Sequence, residues 1–242
     1  MLIKTDAIVL RTVKYGEKRA IVDLFTREQG RLSFIVSLPQ TSRGRMKKQY
    51  FQPLTLLSTE CDVRPTAELH RLREVSLRSP LGHLHSDAVK LSIALFLSEF
   101  LYHALKGEQQ NAPLFDYVAK GVEWLDGCTG RFANFHLVFI MRLSRFLGFW
   151  PNTEGSAAQD CCFDLRSATF TAAVPPHADY LDRTEAAHLH LLMRMDFATM
   201  HLFRLSREQR GRVLDVMLRY YRLHVPDFPE LRSPEVLHEL FA

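Results

Sequence analysis

The sequence has little that would serve catalysis, export or membrane insertion. It holds no Gly-rich phosphate cradle, Ser-centred elbow, "HExxH" or paired-carboxylate pattern, so no active site is marked and no enzymatic activity is expected. Its four cysteines, Cys61, Cys128, Cys161 and Cys162, are too few and too irregularly spaced for a secreted disulfide framework. They point to a reduced, cytoplasmic setting. No stretch offers the roughly 18–20 clean apolar residues that cross a bilayer. "LSIALFLSEFLYHAL" is broken by Glu99, and "FANFHLVFIMRLSRFLGFW" by Arg142 and Arg145. At the N-terminus Lys4 and Asp6 interrupt what a signal peptide would need to be apolar. A soluble protein with no membrane contact is expected. Internal repeats and low-complexity tracts are also lacking.

What is present is an ordinary globular composition, 47% hydrophobic and 24% charged over 242 residues, enough to bury a substantial core. The formal net charge of +4 hides an uneven distribution. Residues 1–80 carry 15 Lys and Arg against 8 Asp and Glu, whereas residues 81–242 carry 16 against 19. A basic front on a mildly acidic back suggests that the first part meets a polyanion. The densest basic run is "SRGRMKKQYF", residues 42–51, where Arg43, Arg45, Lys47 and Lys48 precede Tyr50 and Phe51. Gly44 and the absence of apolar periodicity make this an exposed loop. Two readings are open for it, a solvated loop and a phosphate-contacting one.

Up to about residue 78 the signals are those of strands: "DAIVLRTV", "RAIVDLF", "RLSFIVSL", "PLTLLS" and "ELHRLREVSL", separated by turn-rich segments. Five strands in so short a span favour a small Greek-key barrel. The third run alternates most clearly, with Leu32, Phe34 and Val36 on one face and Arg31, Ser33 and Ser37 on the other, which makes a basic outer face available. Helices follow at about 87–106, capped by Ser86 or Asp87, and over "APLFDYVAKGVEWLD" and "RFANFHLVFIMRLSRFLG". Residues 151–180 are small, polar and turn-rich, with "CCFDLRSATFTAA" able to form one hairpin. Further helices are expected at about 183–194, 207–224 and 233–241.

The metal-ligating residue types do not converge. His83 with His85 and His188 with His190 are spaced two apart, which on a helix turns the rings to different faces. Cys161 and Cys162 are neighbours without a second Cys-x-x-Cys. No metal and no cofactor is expected. Arg142 and Arg145, three apart, share a helix face amid apolar neighbours and need water, a carboxylate such as Glu99, or an incoming anion.

Three segments, "KYGEKRAIVDLFTREQGRLSFIV" (14–36), "FLGFWP" (146–151) and "YYRLHVPDFPELRSPEVLHEL" (220–240), resemble the RecO family of bacterial DNA repair and recombination mediators, in that order. The resemblance implies an α+β chain, with an OB-fold DNA-binding domain at 1–80 followed by an all-helical domain at 81–242. It also implies binding to single- and double-stranded DNA, annealing of complementary strands, and work with RecR and the single-strand binding protein SSB to place RecA on DNA in the nucleoid. Many relatives hold a zinc through four cysteines after the "FLGFxP" segment. This chain offers only Cys161 and Cys162 there, so residues 151–180 look like a zinc-less hairpin remnant.

On an OB barrel, cations track phosphates and rings stack on bases. Arg31, Arg43, Arg45, Lys47, Lys48 and Tyr50 are accordingly the expected DNA contacts, with Phe51 assigned to the core. Arg142 and Arg145 are the expected seat for the acidic, apolar-ended SSB tail. The alternative in a different class is a protein adaptor with only auxiliary DNA contact, and a second is an enzyme of unrecognised motif.

Overall fold

A computed structural model describes residues 1–37, 48–64, 66–153, 161–235 and 237. Five strands close into a barrel in the order β1-β2-β3-β5-β4: β1 (Leu2–Tyr15), β2 (Arg19–Thr26), β3 (Gly30–Ser37), β4 (Leu56–Asp62) and β5 (Leu69–Leu77). All neighbours run antiparallel except β3 and β5, whose parallel pairing (Ser33↔Leu69, Phe34↔His70, Ile35↔Arg71) seals the barrel. The expected OB-type barrel followed by helices is therefore what the chain forms. Ala20, Val22 and Leu24 on β2, Phe34 and Val36 on β3 and Leu72 on β5 fill the interior. Phe51, buried at 4% exposure at the end of a short 3-10 turn (Lys48–Phe51), joins that core, as the sequence suggested.

β1 is longer than its sequence run because its two halves serve different partners. Leu2–Ile8 pairs with β4 and Ala7–Tyr15 with β2. A bulge between Val9 and Arg11 shifts the register, which is why the run does not alternate in sequence. β2 fails to alternate for another reason. Its outward residue Phe25 is as buried as its inward ones, since the Phe115 ring lies 5.8 Å away. β4 begins at Leu56 rather than at Pro53, after a turn in which Leu54 takes a positive φ of 59°.

The strands give way to helices between Leu77 and Ala88, but the compact unit that holds the barrel extends to Gly127 and takes in the segment beginning at Leu231. Helix α1 (Ala88–Ala104) starts where the Asp87 carboxylate accepts from the Val89 and Lys90 amides. Its Ser98 hydroxyl donates to the Leu10 carbonyl, which seats it on β1. Helix α2 (Ala112–Gly127) is tied to the β2–β3 turn by a two-pronged Arg27–Asp116 pair, both contacts at 3.1 Å. Near its end the Asp126 carboxylate accepts from the Gly82, His83 and Leu84 amides, which fixes the strand-to-helix connection.

The second unit, Cys128–Glu230, holds α3 (Phe135–Phe146), a small sheet in the order β7-β6-β8, α4 (Arg183–Arg194) and α5 (Arg207–His224). The sheet strands are β6 (Cys162–Asp164), β7 (Thr169–Thr171) and β8 (Tyr180–Leu181), and β6–β7 is the expected hairpin. Two of the segments that carry the family resemblance meet in this core. Phe149 of "FLGFWP" stacks on His224 at 5.1 Å and packs edge-on against Tyr220 and Tyr221 of "YYRLH". The Tyr220 hydroxyl donates to the Phe149 carbonyl and the Tyr221 hydroxyl to that of Ile140. The helix expected at 233–241 falls mostly outside the described residues. No described helix is long and apolar enough to cross a membrane.

Gly30 shows how closely barrel and helices fit within the first unit. It sits at φ +71°, and a Cβ there would collide with the Glu108 carbonyl and the Gln109 backbone. Gly16, at φ +72°, has nothing within 4 Å of the same position. Gly16→Ala should cost only the left-handed backbone penalty, about 1–2 kcal/mol. Gly30→Ala should cost clearly more. Urea unfolding of the two variants checks this, and equal losses would show that the close approach carries no strain.

Candidate nucleic-acid interface

Cross-strand register places one set of side chains on the outer surface of β1, β2, β3 and β5. Directly opposed residues share a face, so Tyr15↔Arg19↔Ser37 and Val13↔Ile21↔Ile35↔Arg71 form two rows across the sheet, with Arg11 one step further along β1. The inward partners of these rows, Ala20 and Val36, are buried in the barrel core. Tyr15 is 55% exposed, Leu69 43% and Val13 40%, so apolar surface lies open between the cations. Lys14, on the opposite side of the same hairpin, and Lys18 in its turn are also exposed.

Charge pairing divides the barrel's cations into two groups. Lys4 pairs with Glu60, Arg27 with Asp116, Arg73 with Asp62 and Arg78 with Asp6. Most of these lie around the β1–β4–β5 side, whose surface groove of about 650 Å³ is also lined by Glu28 and Glu74. By contrast Arg11, Lys14, Lys18, Arg19, Lys48 and Arg71 are exposed and have no carboxylate partner among the described residues. Exposed cations next to open apolar and aromatic surface can meet phosphates and bases together. Asp23, the acidic residue within this face, is 6% exposed and accepts the Ser33 hydroxyl, so it presents little charge outward.

The residues expected from sequence fall unevenly on this surface. Arg43, Arg45 and Lys47 lie outside the described residues. The segment that carries them leaves β3 at Ser37, beside Arg19, and rejoins the described chain at Lys48. Lys48 is exposed, while Tyr50 is half-buried against the barrel core. Arg31 is tied to the protein: its guanidinium lies 3.9 Å from the Tyr102 ring centroid and donates to the Tyr102 carbonyl at 2.5 Å. Sequence reading missed Arg11, Arg19 and Arg71, because their availability depends on which carboxylates fold up beside which cations.

In the second unit Arg142 donates through Nε to the Met195 carbonyl at 2.8 Å, near Asp196. Arg145 is exposed and lies over the Trp150 ring at 4.8 Å. In the first unit the Glu99 carboxylate accepts from the Arg232 and Ser233 amides and the Ser233 hydroxyl. Around the hairpin, Cys162 is buried at the start of β6 and Cys161 half-buried beside it, and successive strand residues face opposite ways. Burial pushes the Cys61 thiol up to about 11, far from the thiolate a metal needs. No group of three or more His, Cys, Asp or Glu among the described residues is arranged to hold a metal ion.

Two family models match this chain: Recombination protein O N terminal over residues 1–81 and Recombination protein O C terminal over residues 85–233. The chain belongs to the RecO family. Among RecO relatives named DNA repair protein RecO, that of Phocaeicola vulgatus is 49% identical over 242 residues and that of Bacteroides fragilis 48%, each covering all of both chains. The Porphyromonas gingivalis RecO protein is 37% identical over 246 residues, again with full coverage. The boundary between the two RecO models falls where strands give way to helices.

Because Arg19 and Arg71 are exposed and form no ion pair among the described residues, replacing each with Ala should change unfolding free energy by no more than about 0.5 kcal/mol. Arg31→Ala removes a charged hydrogen bond and a ring contact, and should cost about 1–3 kcal/mol. Chemical denaturation of the three variants separates the groups that hold the fold from those left for a ligand.

Proposed function

We propose that this protein acts in DNA repair as a non-enzymatic DNA-binding mediator, holding single-stranded DNA across the outer face of its barrel. The observation that carries this reading is the segregation of Arg11, Lys14, Lys18, Arg19, Lys48 and Arg71 from the carboxylates that neutralise the barrel's other cations. The name shared by the relatives supports a role in DNA repair. Phosphates would neutralise the cations while unstacked bases lie on Tyr15, Ile21, Ile35 and Leu69, a contact that tolerates any sequence. Double strands would meet the same cations through their phosphates alone.

A face that holds two extended strands in turn suits annealing, since it leaves base edges turned away from the protein. In the same reading the protein works with RecR to place RecA on SSB-coated strands. In that reading Arg43, Arg45 and Lys47 also add phosphate contacts. The acidic tail of SSB is assigned to Arg145, with its apolar end against Trp150 and Arg142 alongside.

Single-strand affinity measured by fluorescence anisotropy across a salt series tests the barrel reading. Each phosphate contact contributes about −0.7 to the slope of log affinity against log salt. Neutralising Lys18, Arg19 and Arg71 together should therefore flatten the slope by roughly two, without creating a sequence preference. Neutralising the paired cations Lys4, Arg73 and Arg78 should leave it nearly unchanged. The reverse ranking would move the strand to the other side of the barrel. For the partner site, Arg145→Ala should weaken an SSB tail peptide by about 1–3 kcal/mol by calorimetry, with DNA affinity unaltered.

A further inference from the structure

Two cations of the barrel unit, Arg11 and Arg31, converge at the C-terminal end of α1 with no carboxylate partner among the described residues. With Ser98 bonded to the Leu10 carbonyl, Tyr102 one helical turn on lies beside Arg11. Two guanidinium groups lie against its ring, Arg31 at 3.9 Å and Arg11 at 4.8 Å from the centroid. Their charges are therefore within about 9 Å of each other, inside the roughly 10 Å over which salt screens at 0.1 M. Neither has a carboxylate partner among the described residues. Asp23, opposite Arg11 in the β1–β2 ladder, is buried and turned to Ser33, and Glu99 is taken up by the amides of Arg232 and Ser233. The His103 ring stands edge-on to Tyr102 at 4.9 Å.

We infer that this cluster is a further phosphodiester site, where a single strand running off the barrel face is held by Arg11 and Arg31 and by His103. The inference rests on the barrel reading above and extends it onto α1. Like charges held this close repel, and an anion that reaches both offsets that repulsion. His103 faces Glu99, Arg31, Arg11 and Lys106. Burial lowers its pKa, Glu99 opposes the shift, and the three cations add to it, so the ring is neutral in the unliganded protein. A phosphate cancels the cationic field, the imidazole takes up a proton, and by linkage affinity rises as pH falls. Tyr15 and Arg11 are separated by about 13 Å of β1 at roughly 3.3 Å per residue, so a dinucleotide with one internal phosphate cannot bridge the two and a longer strand can.

Oligothymidylates of about 2 and about 12 nucleotides, the latter within the range of site sizes for one such barrel, separate the two parts of the path. Binding to the full chain is measured at constant ionic strength, at pH about 6 and about 8. Arg11→Ala should weaken the longer strand by roughly tenfold, the size of one charge-assisted contact, and leave the shorter one unaffected. Arg19→Ala should weaken both. The unaltered protein should bind the longer strand several-fold more tightly at the lower pH, and His103→Gln should remove that gain. If Arg19→Ala weakens both strands while Arg11→Ala changes neither and His103→Gln keeps the pH gain, the extension is wrong and the barrel reading stands. If Arg11→Ala acts as expected and Arg19→Ala does nothing, the cluster stands and the barrel reading falls. No effect from any variant overturns both.

Discussion

Three residue pairs between β3 and β5 close the barrel, and the arrangement of its charges depends on that closure. Parallel pairing is slightly less stable per residue than antiparallel, so the seam relies on what packs behind it. Phe34 and His70 face the interior there, with ring centroids 5.7 Å apart. Burial lowers the His70 pKa while Asp62 partly opposes the shift, so the folded state holds the imidazole neutral. Protonation therefore favours the opened state: the seam is at full strength above the ordinary histidine pKa of about 6.5 and weakens as pH falls below it. The same seam brings Arg71, far along the chain, beside Ile35 and one strand from Ile21.

Closure also sorts charge. β4 and β5 bring Glu60 and Asp62 to the cations Lys4 and Arg73, and Arg78 reaches Asp6. Each of these exposed pairs is worth little to stability, yet each removes a cation from the pool available to a ligand. The cations of the β1–β2 hairpin, whose turn also carries Glu17, form no ion pair with those carboxylates among the described residues. A polyanion would thus be drawn to one side of the barrel by the pairing pattern rather than by net charge, which is only +4 for the whole chain.

Much of the fold was legible in the sequence because its signals are local. Asp87 caps α1, and α4 and α5 run over Arg183–Arg194 and Arg207–His224, the spans that capping residues and periodicity suggested. β3 alternates visibly because one of its faces stays half-open. β1 and β2 did not, one because of the bulge at Val9/Arg11 and the other because Phe115 covers Phe25. The interface was less legible for a related reason. A basic run such as residues 43–48 announces itself, whereas Arg11, Arg19 and Arg71 are isolated in sequence and become a set only through register. Arg31, visible in the sequence on the outer side of β3, is held by Tyr102 from a helix 71 residues away, a contact that no local signal announces.

Backbone amide chemical-shift mapping with a short oligothymidylate tests most directly that nucleic acid follows the unpaired cations. The account predicts perturbations over Val13–Arg19, Ile35–Ser37 and Leu69–Arg71, with Lys4–Asp6, Ser58–Glu60 and Arg73–Ser76 unchanged. Perturbations confined to the latter segments would contradict it.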